Sequence, residues 1–117
     1  MAELNFTPEQ RAAIDTRGST VLVSAAAGSG KTRVLTERLM AYLTDAETPV
    51  DIDRFLVITY TRAAAAELRS RILDGIYARI ASDPENRRLR RQAALCADSA
   101  AFCPASASVE SPVPILL

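Results

Sequence analysis

The sequence predicts an α/β fold: a partial parallel sheet with flanking helices, followed by a C-terminal tail without regular structure. Three observations predict it. Two short continuous apolar runs, Thr20-Val21-Leu22-Val23 and Phe55-Leu56-Val57-Ile58-Thr59, are typical of strands covered on both faces. Each is followed by a segment of helical periodicity, and nothing between them signals a hairpin, so the connection is a right-handed crossover. From Pro104 the chain reads PASASVESPVPILL, rich in proline and serine and without any period.

The elements follow in order. Thr7 is a candidate N-cap with Pro8 at the first helical position and Gln10 completing a capping box, and Arg17-Gly18-Ser19 ends that short helix. The first strand, 20–23, runs into a glycine-rich turn. A helix follows over Lys31 to Leu43, with Val34, Leu35, Arg38, Leu39 and Tyr42 at near-helical spacing. Pro49 marks the loop before the second strand. A long helix is predicted from Arg62 to Ala81, its apolar stripe running through Ala65, Leu68, Ile72, Ile76 and Ile80. Asp83-Pro84 opens a last helix to about Ala97. Residues 1–97 form one partial domain, and 98–117 a divergent tail whose apolar end, Ile115-Leu116-Leu117, has no partner element.

Composition narrows the class. The chain has 117 residues, 49% hydrophobic and 24% charged, as in ordinary globular proteins. No apolar run has the length of a membrane helix and the acidic start is unlike a signal peptide, so no membrane and a cytoplasmic location are expected. Cys96 and Cys103 have no metal-ligand spacing and read as reduced thiols. Histidine is absent, which excludes mechanisms that need an imidazole. The 14 acidic groups balance the 14 basic ones, yet residues 62–91 are net basic. One basic residue is a lysine, Lys31, and the others are arginines.

Lys31 stands in the stretch Ser24-Ala25-Ala26-Ala27-Gly28-Ser29-Gly30-Lys31-Thr32. Phosphate binds where backbone N–H groups converge at the positive end of a helix, on a chain that turns sharply without side chains in the way. A strand before and a helix after supply that setting. Lys31 then reaches the β- and γ-phosphates and the Thr32 hydroxyl holds Mg²⁺. The usual pattern is G-x-x-x-x-G-K-[ST], and here Ala25 replaces its first glycine. The plain alternative is a glycine turn with an incidental lysine.

These residues resemble the amino-terminal part of the UvrD/Rep-like superfamily 1 DNA helicases, which favour A-x-x-G-S-G-K-T, and within that family they look closest to the AddA branch. Three motifs carry the resemblance, in the family's order. The first is Phe6 to Gln10, where the family uses a glutamine on the adenine edge; the capping box accounts for Gln10 equally well. The second is the loop, whose nucleotide-binding residues by this resemblance are Gln10, Ala25, Ala26, Ala27, Gly28, Ser29, Gly30, Lys31, Thr32 and Arg33, with Lys31 and Thr32 catalytic and Thr32 the metal ligand. The third is Thr59-Tyr60-Thr61-Arg62-Ala63-Ala64-Ala65-Ala66-Glu67-Leu68, which is similar to the family's single-strand DNA motif T-F-T-N-x-A-A-x-E-M. It lies past the carboxyl end of a strand, where ligands meet parallel sheets. There Thr59, Tyr60, Thr61 and Arg62 are the DNA-binding candidates: Thr61 for a phosphate, Tyr60 for stacking on a base.

The resemblance covers residues 4 to 97. At the family's next motif, T-x-H-S-F-C, this chain has Asp98-Ser99-Ala100-Ala101-Phe102-Cys103, without the histidine. The implied function is ATP binding, with Mg²⁺, in the N-terminal segment of a 3′-to-5′ helicase–nuclease of double-strand break repair. Its partners would be ATP, single-stranded DNA and, for the full-length protein, an AddB-like subunit. The Asp-Glu pair that activates water, the arginine finger, a second RecA-like domain and the nuclease domain are not among these residues, so the chain alone is not expected to unwind or cut DNA. The break near residue 98 reads as a truncated or frame-shifted reading frame. Three other readings stand beside this one. They are a free-standing small P-loop NTPase or kinase with Arg87-Arg88-Arg90-Arg91 as its lid, a non-catalytic module binding nucleic acid or a partner protein, and an inactive remnant.

Overall fold

In chain order the elements are α1 (Pro8–Asp15), α2 (Lys31–Leu43), a 3₁₀ turn (Ile52–Arg54), β1 (Phe55–Ile58), α3 (Arg62–Ser82), α4 (Arg87–Ala97) and β2 (Val113–Leu116). They belong to a computed structural model that describes residues 5–24, 30–98 and 113–116. The described residues are mostly helical. One short ladder accompanies the helices: β1 pairs in parallel with β2, Phe55 opposite Val113 through Ile58 opposite Leu116.

Two expectations are corrected here. Residues 20–23 form no strand; Leu22 is 91% exposed and Val23 45%. An apolar β-branched run pairs only where neighbouring strands offer a ladder and a cover, and β1 makes its ladder elsewhere. The expected structureless tail is also wrong over residues 113–116, which supply β2, so the apolar end does have a partner element. Pro114 lacks an N–H, which suits a strand that, among the described residues, has no further neighbour on its outer side. The remainder of the tail, 99–112 and Leu117, lies outside the described residues.

The helices follow local chemistry closely. At α1, Thr7 Oγ1 accepts from the Gln10 N–H at 3.2 Å and Gln10 Oε1 accepts from the Thr7 N–H at 2.9 Å. Both halves of the capping box are therefore made, with Pro8 at N1 where its missing N–H costs nothing. Thr61 caps α3, its hydroxyl oxygen accepting from the Ala64 N–H at 3.1 Å. The last helix starts later than expected. Asp83 and Pro84 belong to the preceding turn, and Asn86 is the cap, accepting from the Leu89 N–H at 3.1 Å. Asn86 Nδ2 in turn donates to Asp83 Oδ2 at 3.2 Å, so the aspartate orients the cap.

The core lies between α2, α3 and α4. Leu39, Met40 and Leu43 of α2 meet Leu68, Ile72 and Ile76 of α3, with Ala93 and Cys96 from α4. Burying side chains of the size of leucine or isoleucine contributes about 1.5–3 kcal/mol each. Ile80 of the predicted stripe packs at its edge, and Ala65 is exposed. The helices approach closely at Gly75, where a Cβ would lie 3.4 Å from Met40 Sδ. Glu37 and Arg79 join α2 to α3 at 3.0 Å. Burial raises the Cys96 thiol pKa above its ordinary value, with Arg69 opposing more weakly, and the thiol is free.

A polar contact fixes α4 to the 3₁₀ turn. Gln92 is fully buried; its Oε1 accepts from the Ile52 N–H at 2.7 Å and its Nε2 donates to Asp51 Oδ1 at 2.8 Å. Arg88 donates to the same Asp51 oxygen. That hydrogen bond, ahead of the opposing effect of burial, holds the Asp51 carboxyl below its ordinary pKa. A carboxylate depressed in the folded state stabilises above its unfolded pKa and loses that contribution as pH falls through the folded value. Acid denaturation of the parent chain should therefore steepen below about pH 4. Asp51→Asn should be less stable at pH 7 and fall off less steeply in acid, as read by thermal melts from pH 7 to pH 2.

Candidate functional site

Helices α1 and α2 lie side by side with their N-termini at the same end. Late in α2, Arg38 Nη1 donates to Ala13 O at 2.6 Å and Thr16 O at 2.7 Å, satisfying carbonyls that the end of α1 leaves without helical partners. At the other end, Gln10 Nε2 is 3.6 Å from where a Cβ on Gly30 would stand. Phe6 sits beside both helix starts, with the Arg33 guanidinium 4.8 Å and the Arg11 guanidinium 5.4 Å from its ring centre.

Gly30 is the N-cap of α2 in the left-handed conformation, φ 84° and ψ 21°, and no side chain caps the helix. No acidic residue lies in its first turn. The first-turn N–H groups of α2 therefore face a region of positive potential with no side-chain acceptor of their own, the arrangement that favours an anion. Lys31 follows at N1 and is exposed; Thr32 at N2 is half-buried; Arg33 is exposed but engaged with Phe6. A left-handed glycine, an uncapped helix start and a flanking lysine fit the triphosphate of a nucleotide, and the Thr32 hydroxyl suits Mg²⁺ by its hard oxygen. Ala25, Ala26, Ala27, Gly28 and Ser29 lie outside the described residues.

For Gln10 the two readings coexist. Its Oε1 is committed to the capping box, while its Nε2 faces the start of α2. The cap thus orients the amide toward the loop instead of competing with that use.

The second group of candidates lies between β1 and α3. Thr59 Oγ1 donates to Thr61 O at 3.1 Å, closing the turn that ends the strand. Tyr60, at its tip, is 98% exposed, and Arg62 is exposed at the first position of α3. The Thr61 hydroxyl oxygen accepts within the cap, which still leaves its proton to donate. This group therefore presents a ring, a hydroxyl and a guanidinium around a helix start that also has no acid in its first turn.

Several residues that hold this geometry carry no clear mark in the sequence. Phe6 belongs to the glutamine motif there, and only the fold makes it the ring between two guanidinium groups. Tyr42 lies 4.0 Å from the Arg17 guanidinium and 5.3 Å from that of Arg38, with its ring edge-on to Phe55 at 5.7 Å. Gln92 does have a signal: it falls on the stripe Leu89, Gln92, Ala93, Cys96, which is otherwise apolar. The four-arginine lid is corrected in part, because Arg88 is bound to Asp51 and is not available as a mobile phosphate ligand.

Comparison with known proteins adds the following. The model of the UvrD/REP helicase N-terminal domain matches residues 6–102, extending past the boundary expected at 97. The larger, A-type component of the ATP-dependent helicase/nuclease in Thermoanaerobacter sp. (strain X514) is 56% identical over 90 residues, covering 77% of this chain and 7% of that protein. Its namesake in Clostridium acetobutylicum is 50% identical over 99 residues, covering 85% of this chain and 8% of its own length. That of Moorella thermoacetica is 55% identical over 87 residues, 74% of this chain and 6% of the relative. The chain thus spans less than a tenth of the length of these curated relatives.

The Gly30 geometry carries a stability consequence. An added Cβ meets only an ordinary contact at 3.6 Å, so the cost of Gly30→Ala is conformational, about 1–2 kcal/mol for a left-handed L-residue. A thermal melt should show that loss; an unchanged melting temperature would mean that this position is not held at positive φ.

Proposed function

The chain belongs to the UvrD/REP helicase N-terminal domain family, and we propose that it is the N-terminal ATP-binding segment of an ATP-dependent 3′-to-5′ DNA helicase. The parent protein is of the helicase–nuclease type, works in double-strand break repair in the cytoplasm, and has an AddB-like partner. The observation that carries this reading is the start of α2: left-handed Gly30 without a side-chain cap, Lys31 and Thr32 directly after it, and Gln10 beside it.

In this reading the N–H groups opening α2 and the Lys31 ammonium hold the β- and γ-phosphates, and Thr32 supplies an oxygen to Mg²⁺. Residues 25–29 complete the loop. Gln10 meets the adenine edge with the amide that the capping box orients, and Arg33 lies on the same side of the site. Residues 20–23 and β1 are the beginnings of a partial RecA-like parallel sheet; the exposed Leu22 and Val23 are what its remaining strands would cover. Among the described residues no helix is long and apolar enough to cross a membrane.

Tyr60 and Arg62 take single-stranded DNA, Tyr60 by stacking on a base and Arg62 with Thr61 on a phosphate. Phosphoryl transfer needs more than a cradle: a water-positioning group, a second carboxylate and an arginine finger. The 117 residues bind nucleotide without turning it over, and they neither unwind nor cut DNA alone.

Calorimetry of the purified chain with ATP and Mg²⁺ tests the nucleotide site. Lys31→Ala should weaken binding about 10- to 100-fold, the worth of a hydrogen bond to a charged group, with the melting temperature unchanged because the side chain is exposed. Equal binding by both proteins would sink the reading. Tyr60→Ala should cost about 1–3 kcal/mol in affinity for single-stranded oligothymidylate, measured by fluorescence anisotropy.

A further inference from the structure

Helix α4 divides sharply into two faces. Leu89, Gln92, Ala93 and Cys96 are buried against α3 and the 3₁₀ turn, while Arg87, Arg90, Arg91 and Ala94 form one exposed stripe at i, i+3, i+4 and i+7. The stripe is held at fixed spacing, because α4 is anchored beneath it by Gln92 on Ile52 and by Arg88 on Asp51.

This charge arrangement works against the helix. Arg87 repels Arg90 and Arg91 across one turn, and all three lie in the first half of α4, where the macrodipole disfavours cations. The helix contains no acidic residue, and among the described residues none of these three arginines forms an ion pair. Of the acids in the preceding turn, Asp83 is bonded to Asn86, and Glu85 is exposed two residues before Arg87. The Asp51 carboxylate feels Arg91, so that residue serves the fold in part; Arg87 and Arg90 have no such role.

We infer that the outer face of α4 is a second nucleic-acid contact, which grips the phosphate backbone without reading bases. Its chemistry is guanidinium alone, the group whose planar fork matches phosphate oxygens. A protein partner would need an apolar or aromatic anchor at the centre of its patch, and here the one apolar side chain on the stripe is Ala94. The contact is distinct from the Tyr60 group. Helix α3, with 21 residues, separates the two by about 31 Å of helix length, so they engage different stretches of a strand or duplex. It also does not depend on the nucleotide loop.

Anisotropy titrations with labelled single-stranded DNA of about 20 nucleotides, the matching duplex and RNA of the same sequence, each over a range of salt, test the inference. Neutralising two phosphate contacts with the double variant Arg87→Gln, Arg90→Gln should reduce the slope of log K against log salt by about 1.4 on single strands and about 1.8 on duplex. The arm with the larger loss identifies the preferred strand form. The same variant should melt at the parent temperature or above it, since it removes repulsion. Tyr60→Ala should leave the slope unchanged, so a failure of the Tyr60 reading and a failure of this one give different results. The inference is overturned if the double variant keeps the parent slope in every arm, if it melts lower, which would make the arginines structural, or if the parent chain binds none of the three nucleic acids, which would hand the face to an acidic protein.

Discussion

The guanidinium of Arg38 sets the geometry on which the site depends. By donating to the carbonyls of Ala13 and Thr16, it closes the end of α1 with a group carried on α2. Helix α1 is too short to persist on its own propensity, so its existence and its direction both come from that attachment and from the capping box at its other end. Tyr42 reinforces the attachment, its ring faced by the guanidinium groups of Arg17 and Arg38 and packed against Phe55. One arginine thereby connects the glutamine motif, the helix after the glycine turn and the edge of β1.

The consequence lies at the opposite end of the pair. With the C-terminal end of α1 fixed, Gln10 lies beside Gly30, and Phe6 receives the Arg33 guanidinium. The start of α2 has no side-chain cap and no acid. In an ordinary helix that is a lost stabilisation of about 1 kcal/mol. An anion bound there would supply the missing acceptors, so local instability and capacity for a ligand have the same origin. Helix α4 shows a related tension on the far side of the core, where a buried, well-satisfied face supports an outer face of like charges.

The helices were largely legible in the sequence because their determinants are local. Thr7, Pro8 and Gln10 specify the start of α1 within four residues, and Leu68, Ile72 and Ile76 repeat at the period that puts them on one side of α3. Strands were less legible. The run at 20–23 has the composition of a buried strand, but a strand needs a partner ladder, and whether one forms is a property of distant chain. The same reason hides β2: nothing local in Val113–Leu116 announces pairing with Phe55–Ile58. Of the candidate site, Lys31, Thr32 and Gln10 were visible from motif and spacing.

What the sequence by itself determined is the set of helices, the glycine turn with the chain's single lysine, and the family to which these motifs point, because caps, apolar periods and short motifs act over a few residues. Tertiary structure decided which groups meet: Arg38 on the end of α1, Gln10 beside Gly30, Gln92 on the Ile52 amide, Arg88 on Asp51, and β1 with the far end of the chain. Those pairings span tens of residues. They are selected by the packing of α2, α3 and α4 around Met40 and Ile72, and no local pattern encodes such a selection.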